Sequence, residues 1–165
     1  KTLSSLQRRK TLVMLLSNSV HFSSARDNWE TPQDFFETLN NEFRFTLDVC
    51  AEEHSAKCKN YFTKKDDALD KEWNGVCWMN PPYGRGIGVW LQKAYESSQQ
   101  GSTVVCLIPS RTDTKWWHDY VMRASEVRFL KGRLKFDGHE NSAPFPSAII
   151  VFQKTDTQVF KSMVR

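Results

Sequence analysis

The sequence predicts an α/β fold, one mostly parallel sheet with helices on both faces. Three observations predict it. From Trp29 onward, short apolar runs alternate with helical stretches. The run Thr103–Ile108 is apolar without interruption, as a parallel strand covered on both sides should be. The 165 residues, 39% hydrophobic and 13% aromatic, suit one folded domain rather than a disordered chain.

The elements follow in order. Residues 1–28 are polar and serine-rich and are read as a mobile N-terminal segment. The chain does not begin with Met, so the run before Met14 is read as a leader or added segment. The apolar run Leu12–Leu16 is too short for a signal peptide, and no stretch reaches membrane-span length. A single domain is expected over 29–165. Thr31-Pro32 reads as an N-cap and first helical residue, with Phe35, Phe36 and Leu39 on one helical face. Phe43–Val49 reads as a strand and 51–60 as a short helix. Tyr61–Thr63 reads as a short strand, and Asp66–Leu69 as a loop. Val76–Met79 is a buried strand, Ile87–Gln100 a helix, Thr103–Ile108 a strand and Asp113–Arg123 a helix. Val127–Leu130 and Ser147–Phe152 close the sheet.

Charge is unevenly spread over the net +4: residues 1–26 carry +5, 27–110 carry −5 and 111–165 carry +4. An acidic middle suits a cationic small molecule, and a basic C-terminal third suits a polyanion. Cys77 and Cys106 lie in apolar runs and read as small buried hydrophobes. Cys50, His54 and Cys58 would share one helical face, but a CxxC pair and a fourth ligand are lacking. No metal is expected, and the cysteines read as reduced, in a cytoplasmic protein.

The sharpest motif is Asn80-Pro81-Pro82-Tyr83, straight after the apolar run Val76–Met79. Proline fixes φ and has no N–H, so two in a row make a rigid turn. The Asn80 amide oxygen and the Pro81 carbonyl can accept two hydrogen bonds from one exocyclic amine. Tyr83 can stack on the flat ring that carries it.

This segment resembles the Asn/Asp-Pro-Pro-Tyr motif of S-adenosylmethionine-dependent amino-methyltransferases. With Trp29-Glu30-Thr31-Pro32, Asp48-Val49-Cys50-Ala51, Asp67-Ala68-Leu69 and Pro144-Phe145-Pro146 in that order, Trp29–Gln153 is similar to the phage-type DNA adenine-N6 methyltransferase (Dam) family. The resemblance implies a shortened class I methyltransferase (Rossmann-like) sheet with its last strand antiparallel. It implies S-adenosylmethionine as cofactor, double-stranded DNA as partner, and a phage or restriction-modification setting in a bacterial cell. The resemblance places Trp29, Thr31 and Pro32 at the methionine part of the cofactor. Asp48, with Cys50 and Ala51, would sit at its amino group, and Asp67, with Ala68 and Leu69, at its adenine. Asp66 is an alternative to Asp67. Asn80, Pro81, Pro82 and Tyr83 would be catalytic.

Two departures stand out. Cys50-Ala51-Glu52-Glu53 replaces the usual glycine-rich turn. No clear acidic residue follows a second strand to hold the ribose, unless Glu52 or Glu53 does so. Gly84-Arg85-Gly86-Ile87-Gly88 does not follow the first strand and reads as a flexible loop beside the target pocket.

The amine of adenine is a weak nucleophile, and a base inside a duplex must be flipped out to reach such a turn. Tyr83 would stack on one face of that base and Phe145 on the other. Arg85, Arg111, Lys115, Arg128, Lys131, Arg133 and Lys135 are candidate phosphate contacts. Trp116 or Trp117 reads as core, and His118 as a structural hydrogen-bonder. Transfer to an RNA base or a protein glutamine is a second reading, and an inert nucleic-acid-binding module a third. The basic C-terminal third and the motif order favour DNA, and the intact tetrapeptide argues against inertness.

Overall fold

The structure, a computed structural model, describes residues 29–164; the expected mobile segment 1–28 lies outside the described residues. Six strands form one sheet: β1 (Leu47–Asp48), β2 (Val76–Met79), β3 (Thr103–Pro109), β4 (Glu126–Leu130), β5 (Ser147–Phe152) and β6 (Val159–Met163). Their order is β1-β2-β3-β5-β4-β6. β5 alone runs antiparallel to its neighbours. The antiparallel strand was expected to be the last, but a further strand, β6, follows and runs parallel to β4. Its residues are almost all exposed, so β6 carries none of the apolar signal that marks the inner strands.

Among the described residues three α-helices flank the sheet: α1 (Gln33–Phe43), α2 (Ile87–Gln99) and α3 (Lys115–Asp119). Strand register shows which face each covers. Trp78, Val105 and Val151 are paired neighbours and share a face. Trp78 meets Phe36 of α1 at 5.5 Å, so α1 covers that face. Cys77, Val104 and Phe152 share the other face, and Phe152 meets Tyr95 of α2 at 6.3 Å. Helices therefore lie on both faces, as expected. The packed middle is apolar throughout: β3 and β5 are buried almost end to end.

Several local readings change. Pro32, not Thr31, is the N-cap of α1, and no side chain caps that end. β1 is only two residues long, and 51–60 forms turns rather than a helix. The expected strand at Tyr61–Thr63 is a single parallel bridge, Asp48 to Tyr61. It is held by Asp48 N–H to Asn60 O at 3.0 Å and Phe62 N–H to Asp48 O at 2.9 Å. This stub lies beside β1, where the shortened strand–helix unit was anticipated. Asp113–Arg123 divides into α3 and a 3-10 turn, Val121–Arg123. The 84–88 segment is not a free loop. Gly88 lies inside α2, and a Cβ there would meet Trp116 Cβ at 3.3 Å, so glycine lets α2 approach α3.

Arg128 is the clearest correction. It is a buried residue of β4 on the α1 face, not a phosphate contact. Its guanidinium donates to both carboxylate oxygens of Glu42 in α1, at 2.6 and 2.5 Å, and to Glu126 at 2.6 Å. It also lies over the Phe43 ring at 5.1 Å. This bidentate fork ties the C-terminal end of α1 to the sheet. The Arg128 guanidinium holds the Glu42 carboxyl below its usual range. Losing Glu42 leaves a buried cation with one partner fewer, although Glu42 itself is half exposed, which reduces the loss. Glu42→Ala is expected to destabilise the fold by about 2 kcal/mol in urea unfolding. The salt dependence of DNA binding should be unchanged.

Candidate active site

The carboxyl ends of β1, β2 and β3 lie at one end of the sheet, where ligands bind in such folds. β2 ends at Met79, and Asn80 emerges on the α1 face by alternation from Trp78. The two prolines prevent the strand from continuing. The Asn80 amide nitrogen donates to Trp29 O at 2.5 Å and to Thr31 Oγ1 at 2.9 Å. These two bonds fix which end of the amide is which. Its oxygen is buried and has no partner among the described residues. Pro81 is buried, and no donor among the described residues meets its carbonyl.

The segment before α1 is held from several sides. Glu30 O accepts from Asp137 N–H at 3.0 Å, and the two residues form an antiparallel bridge. Trp29 stacks on His139 at 4.2 Å and meets Phe145 edge-on at 5.0 Å. Phe136 lies 5.3 Å from Trp29 and 6.0 Å from Tyr83. Phe136 and His139 were not singled out from the sequence; the alternation Leu134, Phe136 is the only signal for them.

Tyr83 and Phe145 do come together, but not as two parallel walls. Their rings meet at 77° with centroids 5.6 Å apart, which leaves no slot for a base. Tyr83 is buried and its hydroxyl donates to Leu107 O at 3.2 Å. Burial pushes that hydroxyl well above its ordinary pKa, so it stays protonated. Phe145 is half-buried.

Asp48 is buried at the end of β1. Its carboxylate accepts from Cys50 N–H at 3.2 Å and Lys57 N–H at 3.0 Å. Burial raises its pKa to about 6, although the two N–H groups pull it down. These bonds explain why 51–57 turns back instead of forming a helix. Without that helix, Cys50, His54 and Cys58 share no helical face. His54 instead meets Glu30 at 3.0 Å, and Lys57 Nζ donates to Gln33 at 3.0 Å. Ala51 is buried beside Phe62 O, to which its N–H donates at 2.9 Å.

Asp67 sits at φ 50 between two 3-10 turns, and no partner for its carboxylate occurs among the described residues. Asp66 is different, because its carboxylate is engaged by Thr63 N–H and Oγ1 at 2.7 and 2.8 Å. Ala68 is buried and Leu69 half-buried. Glu52 and Glu53 pair with Lys64 and Lys65 across the same loops.

Of the expected DNA contacts, Arg85, Arg111, Lys131 and Lys135 are exposed on loops after β2, β3 and β4. Arg133 lies on the same loop as the two lysines. Lys131 and Lys135, with Asp34, line a cleft of about 790 Å³ beside the start of α1. Lys115 pairs with Asp119 one turn along α3. Trp117 is buried, and His118 meets Thr112 O at 2.9 Å.

The sequence profile of the DNA N-6-adenine-methyltransferase (Dam) family matches residues 17–164. The DNA N-6-adenine-methyltransferase of Haemophilus phage HP1 is 34% identical over 130 residues, 76% of this chain and 75% of that protein. YfdM of Escherichia coli K12, whose name describes a methyltransferase, is 34% identical over 83 residues. That match spans 45% of this chain and 91% of YfdM. Among solved structures, a modification subunit described for a type I restriction enzyme of Vibrio vulnificus aligns with a TM-score of 0.54 at 11% identity. It covers 98% of this chain, which spans about half (53%) of that structure, and the likeness is one of fold. Among the described residues no helix is long and apolar enough to cross a membrane.

The raised pKa of Asp48 has a defined sign. The folded chain keeps a proton that the unfolded chain releases near 3.8, so this group draws stability down as pH rises towards about 6. Asp48→Asn is expected to remove that part of the slope. Urea midpoints from pH 4 to 7 should show wild type losing up to about 3 kcal/mol relative to the variant, and no further change above pH 7.

Proposed function

The chain belongs to the DNA N-6-adenine-methyltransferase (Dam) family, and on that premise we propose that it methylates adenine N6 at a short duplex site by base extrusion and direct transfer. The family makes it an adenine-specific DNA methyltransferase that uses S-adenosylmethionine. GATC is the proposed site, on family resemblance alone. The proposed setting is the cytoplasm of a bacterial or phage-infected cell.

The observation that carries the mechanism is the Asn80 amide. Its nitrogen is engaged twice and its oxygen is buried without a partner among the described residues. A buried acceptor in that condition costs about 1–3 kcal/mol until a donor arrives. An exocyclic amine supplies that donor. Asn80 Oδ1 accepts one N–H and the Pro81 carbonyl the other. The two acceptors draw the amine out of conjugation and face the positive charge that develops on nitrogen. Their rigidity comes from the prolines and from Trp29 and Thr31, so little reorganisation is needed.

S-adenosylmethionine, when bound, supplies an electrophilic methyl group on a sulfonium. The residues present suit it. Asp48 offers a buried carboxylate to the ammonium of its methionine part, and Asp67 an unpartnered carboxylate to its adenine amine. Trp29, Thr31 and Pro32 flank the methionine part. Tyr83, anchored through its hydroxyl, serves as the fixed wall of the base pocket. Phe145 is the wall that moves, because the rings must part before a base enters. Duplex DNA is held through Arg85, Arg111, Lys131 and Lys135.

Transfer of tritiated methyl from S-adenosylmethionine to unmethylated duplex DNA tests this reading. Wild type should yield N6-methyladenine, and Asn80→Ala should lose at least about 1,000-fold in rate. Label appearing in RNA or protein instead of DNA would overturn the reading. Thr31→Val removes one of the two bonds that orient the amide. Its expected effect is a fall of about tenfold in kcat with the KM for DNA little changed, read from steady-state kinetics.

A further inference from the structure

Three buried side-chain atoms lack a hydrogen-bond partner among the described residues: Asn80 Oδ1, Ser110 Oγ and Ser147 Oγ. All three sit at the same end of the sheet, at the ends of β2 and β3 and the start of β5. Three other buried serines are satisfied. Ser98, Ser102 and Ser125 donate to backbone carbonyls at 2.7, 2.6 and 2.7 Å. Ser147 is 1% exposed, so neither bulk water nor any described residue meets its hydroxyl.

Register separates the two serines. Ser147 pairs with Pro109, and alternation from Val105 and Val151 puts it on the α1 face with Trp78 and Asn80. Ser110 follows Pro109 and emerges towards the other face. Ser147 stands two strands across from Asn80 and two residues further along. With strands about 4.8 Å apart and a rise of about 3.3 Å per residue, their Cα atoms lie about 12 Å apart. A purine with one hydrogen bond of about 2.9 Å at each end fits that span. The rings of Trp29, Tyr83, Phe136 and Phe145 pack on one another at this end of the sheet, and Phe145 lies two residues before Ser147.

We propose that the Ser147 hydroxyl donates to N3 of the extruded adenine while Asn80 accepts from its N6. This rests on the reading of Asn80 given above. N3 lies directly across the six-membered ring from the carbon that carries the amine, and it is an acceptor. The pair reads adenine alone among the bases. In cytosine the atom across the ring from the amine-bearing carbon is N1, which bears the sugar and has no lone pair to offer. Guanine has N3 but presents a carbonyl, not an amine, to Asn80. Thymine also presents a carbonyl.

The test is a cycle of Ser147→Ala against 3-deazaadenine at the target position, with kcat/KM measured for all four combinations. Each change alone should lower kcat/KM by about tenfold, and the two together should cost little more than one. The melting temperature of Ser147→Ala should be unchanged or higher, because the lost hydroxyl has no partner to abandon. Full activity of Ser147→Ala on adenine, or losses that multiply in the cycle, would overturn the proposal. If wild type fails to methylate adenine while Asn80→Ala behaves alike, the underlying reading falls instead, so the two failures are distinct.

Discussion

The Asn80 amide joins the end of β2 to the chain that enters α1. One side-chain nitrogen, bonded to Trp29 O and Thr31 Oγ1, spans about fifty positions of sequence. The rest of the site depends on that joint. It orients the amide so that oxygen, not nitrogen, is left without a partner among the described residues. It also explains why Thr31 does not cap its helix: its hydroxyl accepts from Asn80 instead, and Pro32 is left as the cap residue. A local preference at a helix start gives way to a tertiary hydrogen bond at the site.

What holds the entering segment comes from the far edge of the sheet. The Glu30–Asp137 bridge and the Trp29–His139 stack fasten it to the loop between β4 and β5. The Arg128–Glu42 fork fastens the other end of α1 to β4. The same β4–β5 loop carries Phe145 and leads into Ser147. The position of that loop therefore bears on Trp29, Phe145 and the amide together.

Much of this was legible in the sequence. Val76–Met79 reads as buried because it is apolar without a break, and Pro81 fixes where it must stop. Phe35, Phe36 and Leu39 mark the face of α1 correctly, since all three are buried. Other features were hidden for physical reasons. The 51–60 helix fails because the Asp48 carboxylate takes the N–H groups of Cys50 and Lys57, a competition that no local propensity records. Arg128 looks like any other cation of the basic third until Glu42, 86 positions earlier, is seen beside it. β6 escapes notice because an exposed edge strand needs no apolar period. Ser147 was visible only as the first residue of a strand. Its unmet hydroxyl is a property of the packed sheet.

With Arg128 drawn inside, the charge available to DNA is redistributed. Lys161, though half exposed, is also engaged, by Glu126 at 3.0 Å. Four exposed cations, Arg85, Arg111, Lys131 and Lys135, sit on loops after β2, β3 and β4. In a sheet whose strands mostly run one way, those loops converge on a single end, and Asn80 lies at that end. Phosphate contacts made there fix position but carry no sequence information. On the reading proposed above, discrimination falls on the extruded base itself, through one acceptor, one donor and the length of ring between them.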